Sequence, residues 1–435
     1  MSGLIVDLFA GGGGASTGIE QAMGRSPSVA LNHSWDALRN HALNHPDTRH
    51  LVDDIRSAVP LVVTGGAPVD LLWASPDCKH FSRCKGGKPL DESVRTLPWE
   101  IVRWAKQTRP RLIAVENVPE MTTWGPLDAA GHPIKSEAGT TFAAWVQAFR
   151  DLGYKTTHGI LKACDYGTPT IRKRLFFIAR LDAQPVLPAP THGPGLLPYR
   201  TAAECLDWSD LGTSIFDRDL ADATNRRIAK GLVQFVLQAK RPYLVQTGYG
   251  ERAGQSPRTL DPNLPLGTIV AGGSKAALVT AWVAKHYTGV TGVTPGQPLG
   301  TIKCVDSQGL CVAELDGQPD RSREVAAFLT TYYGQSVGQS VDTPLGTVTT
   351  HDRHGLVTVQ VDGVSRVVTD VRMRMLKASE LKVAQGFPAS YRLEGSAKLQ
   401  VRLIGNSVPP QLAAAVVAAN TTHRPVEGHY RRAIA

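Results

Sequence analysis

The chain has 435 residues, 42% of them hydrophobic, and carries 47 Lys and Arg against 38 Asp and Glu for a formal charge of +9. That is enough to bury a substantial core and suits two globular domains, or one domain with a large insertion, while the basic excess favours a polyanionic partner such as nucleic acid. The six cysteines, at 78, 84, 164, 205, 304 and 311, form no CxxC pair and no Cys/His ligand spacing, so neither a zinc site nor a disulfide framework is indicated and a reducing compartment is expected. No apolar run approaches the roughly 18 residues a membrane helix needs, and Met1-Ser2-Gly3-Leu4 lacks a basic region and a signal-length apolar core. The expectation is a cytoplasmic protein with no membrane segment and no metal.

In chain order, Leu4-Ile5-Val6-Asp7-Leu8-Phe9 predicts a buried strand feeding a turn at Gly11 to Gly14 and a helix through Met23. Val29-Ala30-Leu31 predicts a short second strand, and Asp70 to Ala74, Leu112 to Glu116 and Leu175 to Ala179 predict three more. Amphipathic stretches at Trp99 to Gln107 and Phe142 to Leu152 separate them, with Trp99 and Trp104 expected in the core. Strands alternating with helices imply an α/β fold with a doubly wound, mostly parallel sheet. The Pro-rich stretch Gln184 to Pro190 is expected to end this first domain at 184.

Beyond it lies a degenerate repeat of roughly 33 to 46 residues. Its copies are Tyr249-Gly250 with Pro265-Leu266-Gly267-Thr268, Tyr287-Thr288-Gly289 with Pro298-Leu299-Gly300-Thr301, and Tyr333-Gly334 with Pro344-Leu345-Gly346-Thr347. One hairpin unit used three times predicts a smaller, β-rich domain. Lys275, Lys303 and His351-Asp352-Arg353-His354 are groups of the kind that meet phosphates and base edges.

Chemistry concentrates on the first domain. Cys78 lies in Ser75-Pro76-Asp77-Cys78-Lys79-His80-Phe81-Ser82, directly after a buried strand, and Glu116-Asn117-Val118 ends the next strand. A thiol and an acid therefore share the rim where open α/β sheets bind ligands. Gly11 to Gly14 lets backbone approach a nucleotide-type cofactor at a helix start. The GxGxxG pattern fails, since Ser16 and Thr17 stand where a third glycine is needed, and no Gly-Lys-Ser/Thr ending follows. A glycine turn without a phosphate grip fits S-adenosylmethionine.

Together these residues resemble the DNA (cytosine-5)-methyltransferase family, with its motifs in order. Asp7 to Gly13, including Phe9, Gly11 and Gly13, resembles the first cofactor motif, and Asp53-Asp54-Ile55 the adenine-contacting one. Ser75 to Ser82, with Pro76, resembles the nucleophile loop, Glu116-Asn117-Val118 the acid motif, and Tyr166 to Arg174 the paired-arginine motif. Arg374 through Glu380 to Gln385-Gly386-Phe387-Pro388 resembles the motif that packs the recognition domain, and Gly405-Asn406-Ser407-Val408-Pro409-Pro410 the last motif. The resemblance implies a cofactor-binding domain at 1–184, a target-recognition domain at 185–402, and a segment at 403–435 that completes the first domain.

It also implies methyl transfer from S-adenosylmethionine to carbon 5 of cytosine in duplex DNA, with S-adenosylhomocysteine as product and the base flipped out. Cys78 is the implied nucleophile, Glu116 the acid at N3, and Arg172 and Arg174 the guanidinium groups at O2 and the loop. Phe9, Gly11, Gly13, His33, Asp54, Ile55, Pro76 and Asn406 are the implied cofactor contacts, and a monomer suffices for flipping one base. Three positions depart from the family pattern. Asp77 and Lys79 flank Cys78 in place of Pro and Gln, His33 stands where an acidic residue binds ribose, leaving Asp36 as a substitute, and Thr170 replaces Gln. The alternatives are a tRNA cytosine-5 methyltransferase and a DNA-binding protein without catalysis.

Overall fold

The computed structural model describes residues 3–77, 95–207, 209–210, 213–215, 219, 243–246, 258–266, 276–281, 359–361, 364–366 and 371–421. They divide into two compact units, one of 1–201, 265–273 and 381–435, the other of 202–264 and 274–380.

The first unit is built on seven strands: β1 (Leu4–Leu8), β2 (Val29–Asn32), β3 (Arg49–Val52), β4 (Val69–Ala74), β5 (Leu112–Asn117), β6 (Lys155–Lys162) and β7 (Lys173–Arg180). Their order is β3-β2-β1-β4-β5-β7-β6. β1 to β5 pair in parallel, whereas β7 is antiparallel to both neighbours. The expected strand at Leu175–Ala179 is thus present but reversed, because a single 3-10 turn at Ala163–Tyr166, rather than a crossover helix, links β6 to β7. β1, β4 and β5 are apolar along most of their length because both faces are covered.

On one face, Val6, Leu8, Leu72, Ile113 and Phe177 pack with α3 (Pro60–Thr64), α4 (Leu97–Thr108) and α5 (Thr140–Asp151) through Val63, Trp104, Trp145 and Phe149. Trp104 is fully buried and Trp99 packs against the same cluster, as expected. On the other face, Ile5, Leu71, Trp73 and Phe176 meet α1 (Gly14–Met23) and a C-terminal helix, Pro410–Asn420. The alternation of neighbours along each strand is the pleat itself.

The C-terminal segment supplies α6 (Ala378–Ala384), α7 (Ala397–Asn406) and α8 (Pro410–Asn420). α8 lies so close to α1 that a Cβ on Gly18 would stand 2.3 Å from Pro410 O. The Pro-rich stretch does not close the unit at 184. Val186 N donates to Asn420 Oδ1 at 3.0 Å, Asn420 Nδ2 donates to Val186 O at 2.8 Å, and Tyr166 Oη donates to Pro188 O at 2.8 Å, which ties it back as far as Thr201.

The second unit holds an antiparallel sheet of Thr259–Leu260, Tyr243–Gln246, Ala276–Ala281, Val371–Met375 and Thr213–Ser214, in that order, and a two-stranded ribbon of Val359–Val361 with Val364–Arg366. Within it, Glu380 accepts from Asp207 N at 2.6 Å and Lys377 N at 2.7 Å. The second and third Pro-Leu-Gly-Thr copies, Lys275, Lys303 and 351–354 lie outside the described residues.

Candidate active site

Strand order reverses between β1 and β4, so the loops after them flank a crevice at the carboxyl edge. The register Leu8↔Ala74 and Ala74↔Val115 brings the ends of β1, β4 and β5 to one rim. Main-chain and side-chain bonds then join the loops. Ser75 N donates to Leu8 O at 3.3 Å, Trp73 Nε1 to Ser75 Oγ at 3.0 Å, and Asn117 Nδ2 to Pro76 O at 3.1 Å. Pro76 is buried, so its place here is as the acceptor that fastens the β4 loop to β5. Cys78 and Cys84 lie outside the described residues; Asp77, the last described residue of the loop, is on this rim.

Glu116 and Arg174 meet diagonally across the β5/β7 pair, where Glu116 faces Phe176. Arg174 Nε lies 2.8 Å from Glu116 Oε1, with side chains 11% and 9% exposed. Among the described residues this guanidinium is the one ionic partner of Glu116. Arg172 is buried as well, and its carbonyl accepts from Ala163 N at 2.8 Å. The loop before it is held by the first repeat, since Leu266 N donates to Pro169 O at 2.8 Å and Ile171 N to Leu266 O at 2.6 Å. Pro265-Leu266 thus serves the first unit as a main-chain brace on the paired-arginine loop.

The loop after β1 enters through Phe9, whose φ of 61° is left-handed, a conformation few non-glycine residues adopt. A Cβ on Gly11 would meet nothing within 4 Å, which leaves the loop open at that point. The next three glycines face protein. Cβ atoms would stand 3.2 Å from Leu403 Cβ at Gly12, 1.9 Å from Tyr391 Oη at Gly13 and 2.1 Å from Val408 O at Gly14. The Cβ side of Gly12, Gly13 and Gly14 is therefore taken up by the C-terminal segment, and that of Gly11 is open.

Ala10 N donates to Leu31 O at 3.0 Å and Asn32 Nδ2 to Ala10 O at 2.8 Å, bringing the end of β2 beside this loop. Here His33 is exposed, Ser34 Oγ caps α2 (Trp35–Ala42) by accepting from Ala37 N, and Trp35 is 65% exposed. An indole that exposed at a ligand rim is a candidate stacking face that sequence reading missed, although a tryptophan directly after a strand end was a usable signal. Asp36 is engaged with Arg402 at 3.4 Å. Asp54 is exposed and its carboxylate accepts from Arg56 N at 2.8 Å, whereas the Ile55 side chain is in the core and its carbonyl accepts from Arg103 at 2.6 Å. Asn406 is exposed at the end of α7, one residue before Ser407, whose carbonyl accepts from Gln385 Nε2 at 2.7 Å.

A largely buried polar chain joins β1, α1, α2 and β3. Ser16 Oγ donates to Asp7 Oδ2 at 2.6 Å, His41 Nε2 lies 2.8 Å from Ser16 Oγ, and His50 Nε2 lies 2.8 Å from His41 Nδ1. When Asp7 is ionised, Ser16 gives it its one hydrogen and accepts from His41, which is then the Nε2–H tautomer with Nδ1 accepting from His50. Burial pushes the Asp7 carboxyl up to about 7 against the opposing bond from Ser16, and burial likewise holds His41 well below its ordinary value. Folded Asp7 keeps a proton that the unfolded chain releases near 3.8, so its contribution to stability is present below that pH and is lost as pH rises through 7. Between pH 5 and 8 wild type is expected to lose of order 2–3 kcal/mol relative to Asp7→Asn, both proteins keeping His41. Urea unfolding at the two pH values measures this, and parallel profiles would contradict it.

The sequence profile described as C-5 cytosine-specific DNA methylase matches residues 4–194 and 306–421, most of the chain and every rim element above. The chain belongs to the C-5 cytosine-specific DNA methylase family. The methylase is 29% identical over 220 residues to Type II methyltransferase M.AquIA of Picosynechococcus, covering 46% of this chain and 87% of that one. It is 31% identical to M.AgeI of Thalassovita gelatinovora over 44% of this chain, and 32% identical to M1.HphI of Haemophilus parahaemolyticus over 44%. These matches span only 42% and 50% of those two relatives. A crystal structure of a DNMT2 mutant from Spodoptera frugiperda aligns with a TM-score of 0.54 at 14% identity, covering 96% of this chain and 99% of that one, which supports the fold. Among the described residues no helix is long and apolar enough to cross a membrane, and no group of three His, Cys, Asp or Glu is placed to hold a metal ion.

Proposed function

We propose that the methylase transfers a methyl group from S-adenosylmethionine to carbon 5 of a cytosine flipped out of a specific duplex DNA sequence. The observation that carries this reading is the shared rim on which the loop leading to Cys78 is bonded to Asn117, directly beside Glu116. Carbon 5 of cytosine is a poor nucleophile. In the reaction proposed, the Cys78 thiolate adds to carbon 6, and Glu116 supplies a proton at N3 as the ring electrons shift. Carbon 5 then attacks the methyl group, releasing S-adenosylhomocysteine; the carbon 5 proton departs to a base, the thiolate leaves and the N3 proton returns to Glu116, which restores the ring double bond and regenerates the acid. Arg174 orients the Glu116 carboxyl through the 2.8 Å contact, and Arg172 is the guanidinium assigned to O2.

S-adenosylmethionine brings an electrophilic methyl group on a sulfonium centre. The loop after β1 fits it, being open at Gly11, entered through a left-handed Phe9, and flanked by the exposed indole of Trp35. Gly13, His33, Asp54, Ile55, Pro76 and Asn406 are retained as cofactor-side candidates, with Ile55 acting through its main chain and Pro76 through the loop it fastens. The relatives' names, Type II methyltransferases, support a bacterial modification enzyme with a defined target.

Base-resolution methylation sequencing of DNA from methylation-free cells tests this. Wild type is expected to modify one defined sequence, and Cys78→Ala none. Unmodified DNA from cells making soluble wild type would sink the reading and turn attention to RNA.

A further inference from the structure

The glycine loop is held at Gly12 by the C-terminal segment. Tyr391, in the segment between α6 and α7, donates from Oη to Gly12 O at 2.7 Å. Gly13 O is separately engaged by Thr17, through Oγ1 and N, each at 2.8 Å. Tyr391 is 5% exposed, and burial pushes its phenol well above the ordinary value, so the group stays a donor. Its place is fixed on every side. The ring packs on Phe387 with centroids 4.5 Å apart, Tyr391 N donates to Pro388 O at 3.0 Å, and Lys382 Nζ donates to Tyr391 O at 2.6 Å. The next residue is clamped to α2, with Arg392 N donating to Asn44 Oδ1 and Asn44 Nδ2 to Arg392 O, both at 2.8 Å.

A trans peptide is planar, and its C=O and N–H point in opposite directions. There is no cis bond among the described residues, so turning Gly12 O toward Tyr391 turns Gly13 N–H the other way. A Gly-Gly link has the least intrinsic resistance to peptide rotation, because neither residue has a Cβ to restrict it. Gly13, at φ 89°, gains nothing from side-chain sterics, and the volume a Cβ would fill is taken by Tyr391 Oη itself.

We infer that Tyr391 is a positioning residue for the cofactor, pinning the Gly12–Gly13 peptide so that Gly13 N–H is presented on the face away from the tyrosine before the cofactor arrives. This rests on the reading that the loop after β1 binds S-adenosylmethionine. The hydroxyl never touches the cofactor; it removes a conformational choice that binding would otherwise have to make.

The test is calorimetric binding of S-adenosylhomocysteine to the full chain without DNA, followed by steady-state kinetics. Tyr391→Phe, which deletes one oxygen, is expected to weaken binding about tenfold if the pinned peptide falls to a tenth of the population. KM for S-adenosylmethionine rises with it, while kcat at saturating cofactor and KM for DNA stay within about twofold. Asn44→Ala, which loosens the clamp one residue away, is expected to weaken binding in the same direction by a smaller factor. Unchanged affinity per folded molecule in Tyr391→Phe, or an equal loss in kcat and both KM values, overturns the inference alone. Absence of binding by wild type overturns it together with the cofactor reading.

Discussion

Glu116→Gln is expected to lower kcat by about 10²- to 10⁴-fold, the usual worth of a positioned proton donor, while leaving the protein folded. The amide keeps an oxygen for Arg174 Nε, now 2.8 Å from Glu116 Oε1, so the β5/β7 junction retains its hydrogen bond. It loses the capacity to deliver a proton to N3. Because the change strikes the chemical step and not the grip on DNA, KM for DNA should move far less than kcat. Single-turnover methylation of a duplex oligonucleotide measures the step directly, and a variant within tenfold of wild type would remove Glu116 from the role of acid.

Arg174→Met acts on stability. The pair is nearly buried, and removing the cation leaves a carboxylate shielded from water without its partner, a loss of about 3–5 kcal/mol in such pairs. Adding Glu116→Gln should recover part of it, since an amide carries no charge to strand. Urea unfolding of the two single variants and the double variant gives the coupling; additive losses would mean that the 2.8 Å contact carries no stability.

These two residues also mark where reading the sequence succeeds and where it stops. Glu116 was legible because LIAVEN is apolar until its last two residues, and a carboxylate at the end of a buried strand has few structural reasons to exist. Which arginine holds it was not legible. Arg172 and Arg174 are two apart, and only the antiparallel direction of β7, set by a short turn, puts Arg174 diagonal to Glu116. β3 and β6 escaped detection because they are edge strands, RHLV and KTTHGILK, whose exposed positions interrupt the apolar pattern.

The glycine run was legible as a need for bare backbone but not as to what approaches it. Tyr391 and Gly12 are 379 positions apart, and local pattern carries no information about a contact that distant. The same holds for the Asp7, Ser16, His41 and His50 chain, in which each residue alone reads as an ordinary polar position. Its members come from β1, α1, α2 and β3, and only the fold brings them together.

The covalent step is the central claim, and trapping it is the most direct test. A duplex carrying 5-fluorocytosine at the target position blocks loss of the group at carbon 5, so a cysteine that has added to carbon 6 stays attached. With S-adenosylmethionine present, wild type should form a complex that survives denaturation, and peptide mass spectrometry should place the DNA on Cys78. A complex attached through Cys84, or one formed equally well by Cys78→Ala, would contradict the account.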